Sequence, residues 1–246
     1  MSNPVRADLR VYPSLESLSR AAAEALVTLA HRALEQHDRF TIALSGGQTP
    51  RALYRLLATN YRAVMAWRKV QIFWGDERYV PPEDPRSNYR MAKDTLLDHI
   101  PIPRDNVHPM QTLLPEIEEA AESYEETLMS YFTGPWPRFD LVLLGMGADG
   151  HIASLFPHNV ALEEEARVVT AVRAPEVDPP LRLTLTLPAI NHGANVHFLV
   201  AGKEKANAVK RALTGSPNAY IAPASAVKPI QGNLVWWIDE GAGSLL

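Results

Sequence analysis

The residue types best suited to chemistry gather between Phe139 and Pro157. There an apolar run of strand length breaks into Gly145, Gly147 and Gly150 and then presents Asp149 and His151, two residues apart. Histidine changes charge near neutral pH and is suited to moving protons, and a neighbouring carboxylate can orient or polarise it. The residues alone leave two readings of His151 open: a proton-transfer group, or a loop histidine bonded to backbone. His158, His192 and His197 form no pair at i,i+4 or other ligand-like spacing, so no metal is expected.

A second candidate is Ser45-Gly46-Gly47-Gln48-Thr49-Pro50, which follows the apolar run Phe40 to Leu44. Glycines allow close backbone approach, and the N–H groups and dipole of a following helix favour an anion such as phosphate. The stretch lacks the Gly-Lys-Ser/Thr ending of a Walker A loop. It reads equally as a tight turn with a good cap, in which Thr49 is the N-cap and Pro50 the first helical residue. Lys205 falls in the first turn of an expected helix, where a cation is disfavoured by roughly 0.3–1 kcal/mol. It is either a solvated lysine or the partner of a bound anion. Asp76, Glu77 and Arg78 follow another strand directly. They form a polar loop start, or they offer Arg78 to a planar or phosphate oxyanion.

These residues need a scaffold that brings them together. Strand patterns are expected at 5–12, 40–44, 70–74, 139–145, 168–172, 182–187, 196–201 and 234–238. Helical spacing is expected at 14–36, from Pro50 through Leu57, 88–98, 116–132 and 204–214. A short strand is expected around Val107, and Pro81 to Asn88 is a loop. The alternation predicts an α/β fold with a mostly parallel sheet flanked by helices on both faces, and a single domain over 1–246. In such a sheet ligands bind at the carboxyl ends of strands, so segments 45–50, 145–150 and 202–205 should face one crevice.

Bulk composition narrows the possibilities. A net charge of −4 argues against nucleic acid or an anionic membrane as the main partner. The chain has no cysteine, which excludes disulfides, thiolate catalysis and Cys-ligated metal. No signal-peptide or membrane-spanning pattern is present, and a cytoplasmic location and a monomer are expected. Trp74, Trp236 and Trp237 read as core. Gly145, Gly147 and Gly150 also spell the G-x-G-x-x-G of dinucleotide binding. That motif wants an acidic residue at a strand end about twenty residues on, and Val169 to Arg173 supplies none.

Taken together, the motifs resemble the 6-phosphogluconolactonase family, part of a larger sugar-phosphate group that includes glucosamine-6-phosphate deaminases. The resemblance spans roughly residues 10 to 240. It rests on Ala43 to Pro50, on Trp74 to Pro81 with Ser87-Asn88-Tyr89, on Gly145 to Pro157, on Arg182 to Thr186, and on Gly202 to Ala206. Gln48 stands where a serine is common, and Ile152 where lactonases often have threonine. Deaminases resemble the chain at Ile152, but they carry a catalytic glutamate where Phe156 stands and a tyrosine where Arg78 stands. The resemblance implies a Rossmann-like three-layer sandwich and hydrolysis of 6-phosphoglucono-δ-lactone to 6-phosphogluconate in the oxidative pentose phosphate pathway. His151 would then be the general base, oriented by Asp149. Ser45, Gly46, Gly47 and Thr49 would cradle phosphate, with Lys205 and Arg182 neutralising its charge, and Arg78 would bind phosphate or the oxyanion. No cofactor is implied, because an ester-type carbonyl is already electrophilic. The alternatives are a deaminase-like enzyme and a non-catalytic sugar-phosphate-binding protein.

Overall fold

The structure is a computed structural model that describes residues 7–246. Its centre is a six-stranded sheet, parallel throughout, in the order β1-β9-β8-β5-β2-β3. The strands are β1 (Asp8–Tyr12), β2 (Phe40–Leu44), β3 (Val70–Trp74), β5 (Leu141–Leu144), β8 (Asn195–Val200) and β9 (Asn233–Asp239). Every residue of β2 and β5 is buried. A strand with no solvent-facing alternation is covered on both faces, which is why these two read as continuous apolar runs. Of the expected strand at 5–12, Val5 and Arg6 lie outside the described residues.

Helix α1 (Leu15–Gln36) opens with a reciprocal cap. The Ser14 hydroxyl accepts from the Ser17 N–H, and the Ser17 side chain accepts from the Ser14 N–H. Its buried stripe includes Leu18, Ala22, Leu26, Ala30 and Ala33, and it packs on α2 (Gln48–Thr59) and on β9. Helices α3 (Asn88–Thr95), α4 (Ile117–Tyr131), α5 (Leu187–Asn191) and α6 (Ala206–Thr214) complete the set. Trp74, Trp236 and Trp237 are buried in the core, as expected. Val107 forms only an isolated parallel bridge to Ile72.

Two differences from the expectation shape the site. Residues 76–78 are not a loop start but a strand, β4 (Asp76–Arg78). With β7 (Leu181–Leu185) and β6 (Val169–Arg173) it forms a separate antiparallel sheet in the order β4-β7-β6, against which α4 packs. Three charged residues in a row carry no strand signal of their own. Pairing with Leu183 and its neighbours imposes the extended backbone. In addition, α2 starts at Gln48 behind Gly47, which adopts φ 98°, ψ 174°. Thr49 is therefore inside the helix, and the glycine turns the chain where a hydroxyl cap was expected.

His197, on β8, is buried away from the cavity described below. Burial, and then the charge of Arg10, push its imidazole down to about 4. Unfolded, it titrates near 6.5, so between those values the unfolded state holds the extra proton. Stability should therefore fall by up to about 3 kcal/mol as pH drops through this window. Urea unfolding at pH 7 and pH 4.5 measures the loss, and His197→Gln should remove most of it.

Candidate active site

The chain leaves β2 toward β3 on one side and leaves β5 toward β8 on the other. The crevice between the ends of β2 and β5 is thus a switch point, where open α/β sheets bind ligands. The two strand exits are bonded together there: the Gly145 N–H donates to Ser45 Oγ at 3.2 Å. The Tyr54 hydroxyl fixes the Ser45 backbone, accepting from its N–H at 3.0 Å and donating to its carbonyl at 2.8 Å. A cavity of about 200 Å³ opens above.

That cavity gathers Ser45, Gly46, Gly47, Thr49, Arg78, His151, Arg182 and Lys205, which lie up to 160 residues apart in sequence. Asp149 stands behind the imidazole, outside the lining. The Ser45 hydroxyl is taken up internally, by Gly145 and by the Gly46 carbonyl, so the loop offers its backbone rather than this side chain. Among the described residues, no side chain caps α2, so its first N–H groups face the cavity side without a protein partner. Lys205 sits one step earlier than expected. It ends a 3-10 turn (Lys203–Lys205) and occupies the N-cap position of α6.

The Asp149–His151 pair is formed. Asp149 Oδ1 lies 2.7 Å from His151 Nδ1 and also accepts the His151 N–H at 3.2 Å. Half-burial pushes the Asp149 carboxyl up, but the hydrogen bond and charge of His151 outweigh it and hold the carboxyl at about 2. A carboxylate at Nδ1 fixes the tautomer with the proton on that nitrogen and leaves Nε2 as a lone-pair base. Room for the pair depends on Gly147, where a Cβ would come within 2.1 Å of His151 Nδ1 and 2.3 Å of Asp149 Oδ1. The next residue but one, Ala153, also lines the cavity and holds φ 46°, a strained value for a non-glycine residue.

Opposite stand two arginines. Arg78 and Arg182 are register partners across the β4–β7 ladder, and like charges directly opposed repel. Among the described residues neither forms an ion pair with a carboxylate. Burial, and then the charge of Arg78, lower the pKa of Arg182. Two guanidiniums without a carboxylate ion pair, together with Lys205, favour an anion in a cavity that the Asp76 carboxylate also lines. No cluster of three or more metal-ligating side chains occurs among the described residues.

Three residues matter more than their sequence context indicated. Asn88 packs against the phosphate-loop candidate so closely that a Cβ at Gly46 would meet its Oδ1 at 2.0 Å. Its amide donates to the Asp76 carbonyl and carboxylate. The other Asp76 oxygen accepts from Ser154 Oγ at 2.8 Å, tying β4 to the loop that carries His151. Glu77 is a buried staple. It accepts the N–H groups of Arg78, Asn88 and Tyr89, each at 2.7 Å, and the Ser87 hydroxyl at 3.0 Å. Burial pushes its carboxyl up to about 7 against those donors. Glu77→Gln should lower stability by about 1–3 kcal/mol, because its new NH₂ would face N–H donors instead of accepting from them. A urea or thermal melt checks this. The proline-rich loop 81–88 is tied down. Arg86 pairs with Asp84 at 2.8 Å and Asp178 at 3.0 Å, and Arg78 donates to the Arg86 carbonyl.

The fold and the site define a class: α/β proteins with a glycine-rich strand–helix joint and an Asp–His pair in one cleft. The chain belongs to the glucosamine-6-phosphate isomerase/6-phosphogluconolactonase family, whose model matches residues 13–236. It is 42% identical to a 6-phosphogluconolactonase of Synechocystis, over 93% of this chain and 94% of that protein. It is 40% identical to one of Mycobacterium leprae, over 97% and 98%. The solved 6-phosphogluconolactonase from Trypanosoma cruzi superposes with a TM-score of 0.88 at 30% identity, over 99% of this chain and 98% of that one. A monomeric glucosamine-6-phosphate deaminase shares the fold, with a TM-score of 0.79 at 23% identity, over 97% and 100%.

Proposed function

We propose that this chain hydrolyses 6-phosphoglucono-δ-lactone to 6-phosphogluconate, the lactone-opening step of the oxidative pentose phosphate pathway. The observation that carries the reading is the 2.7 Å Asp149–His151 pair, facing the same cavity as the uncapped start of α2, Lys205 and the two arginines. His151 Nε2 takes a proton from water as the water attacks the lactone carbonyl. The tetrahedral oxyanion is stabilised by the cationic wall. The imidazolium then returns the proton to the ring oxygen as the C–O bond breaks. Asp149 holds the imidazole throughout. The N–H groups of the Gly46 to Thr49 turn and Lys205 hold the phosphate.

The dyad, the loop and the arginines all lie between residues 45 and 205 of one domain, and a monomer is part of the proposal. A sugar phosphate is a water-soluble metabolite, which supports a cytoplasmic setting. Among the described residues no helix is long and apolar enough to cross a membrane.

The deciding experiment follows acid release from 6-phosphoglucono-δ-lactone, corrected for spontaneous opening, beside ammonia release from glucosamine 6-phosphate. Catalysed lactone opening without ammonia supports the reading. Ammonia release would instead support a deaminase, and binding without turnover a sensor.

A further inference from the structure

Phe156 is buried, lies five residues beyond His151, and packs behind two residues that line the cavity, His151 and Arg182. Its ring centroid is 4.6 Å from that of the His151 imidazole, tilted by 45°. The Arg182 guanidinium carbon sits over the same ring at 5.4 Å from its centroid. One aromatic side chain therefore backs the imidazole and the guanidinium at once. Neither partner is otherwise well fixed on that side. His151 has a single side-chain hydrogen bond, to Asp149. Arg182 is held by backbone carbonyls alone, donating from Nε to Pro179 at 3.0 Å and from Nη2 to Asp178 at 3.4 Å. Neither carbonyl offsets its charge.

We propose that Phe156 is a positioning residue: its ring sets the imidazole and the Arg182 guanidinium at a fixed separation, so that the proton-transfer group and the cationic wall meet the same substrate carbonyl in register. This rests on the lactonase reading above. The ring suits the task physically. It is flat and stiff, its face attracts a guanidinium, and its edge and face both pack against an imidazole without offering a competing hydrogen bond. A carboxylate at this position would pair with Arg182 and take up positive charge that an anionic substrate needs. An aliphatic side chain would fill the space without a face for either partner.

The test compares Phe156→Leu, which keeps apolar bulk, with Phe156→Tyr, which keeps the ring. In the lactone assay Phe156→Leu should lower kcat about 10-fold and raise KM several-fold, because both partners lose their support. Phe156→Tyr should stay within about threefold of wild type on both constants. Crystal structures of the two variants give a readout that needs no substrate: Phe156→Leu should show the His151 ring in more than one rotamer and a displaced Arg182, and Phe156→Tyr neither. A Phe156→Leu protein with a lowered Tm but unchanged kcat, KM and His151 rotamer would overturn the proposal, leaving Phe156 as core packing alone. Wild-type protein that fails to open the lactone would defeat the functional reading instead, and the crystallographic comparison would then decide the positioning role by itself.

Discussion

His151→Ala is expected to lower kcat for lactone opening by about 10²–10⁴-fold, the contribution of a well-placed proton-transfer group. KM should change little, because the groups proposed to hold an anion are elsewhere in the cavity: the start of α2, Lys205, Arg78 and Arg182. The substitution should also leave the fold intact, since the His151 side chain is 31% exposed and its side-chain hydrogen bond runs to the half-exposed Asp149. The measurement is a lactone assay at several pH values, with the spontaneous rate subtracted, alongside a thermal melt. Retention of full turnover by His151→Ala would remove the imidazole from the mechanism. Asp149→Asn is the companion variant. An amide can donate to Nδ1, which places the imidazole proton on Nε2 and takes away the lone pair that must accept from water. Because the Asp149 carboxyl is held at about 2, it stays ionised across any practical assay range. The support it gives the dyad is lost only as pH falls through that value. Loss of activity in mild acid would therefore not come from protonation of Asp149.

The parts of this site that were legible in the sequence are those whose signal is local. A strand that runs into glycines and then a helix marks Ser45 to Pro50 as a tight strand–helix joint, open to an anion or simply a turn. The alternation of strand and helix is enough to bring that joint, the His151 loop and Lys205 to one edge of a sheet. Side-chain partnerships across long separations were not legible. Ser154 reaches Asp76 across 78 positions, and Asn88 presses on Gly46 across 42. Nothing in Asp76-Glu77-Arg78 taken alone distinguishes a solvated loop from a strand buried by pairing with β7. The clue was the family resemblance of Trp74 to Pro81, which marked these residues without saying what they do. The same limit applies to Arg78 and Arg182. Their opposition across the ladder depends on antiparallel register, which only the three-dimensional pairing supplies.

The three glycines that imitate a dinucleotide fingerprint do not answer to one shared physical demand, and the middle one yields the second large prediction. A Cβ at Gly145 would meet only ordinary contacts, the nearest at 3.6 Å from Ser45 Oγ. Gly150 holds φ 99°, which L side chains rarely adopt. Gly147 has no such backbone demand; it is small because the dyad occupies the space where its side chain would be. In Gly147→Ala the new methyl would stand 2.1 Å from His151 Nδ1 and 2.3 Å from Asp149 Oδ1, far inside contact distance. Both atoms end side chains that can swing, so relief is cheap for the fold and ruinous for the pair. Gly147→Ala should therefore lose about 10²-fold or more in kcat, because a displacement of about 1 Å at a reacting group can have that effect. Its Tm should stay within a few degrees of wild type. Gly46→Ala provides the contrast. There the methyl would strike Asn88, which is buried and bonded to Asp76, so the strain has no free side chain to absorb it and stability should fall along with substrate affinity. Measuring kcat, KM and Tm for both variants separates the two cases. If Gly147→Ala kept wild-type kcat, the dyad would tolerate displacement, and its 2.7 Å geometry could not be what sets the rate.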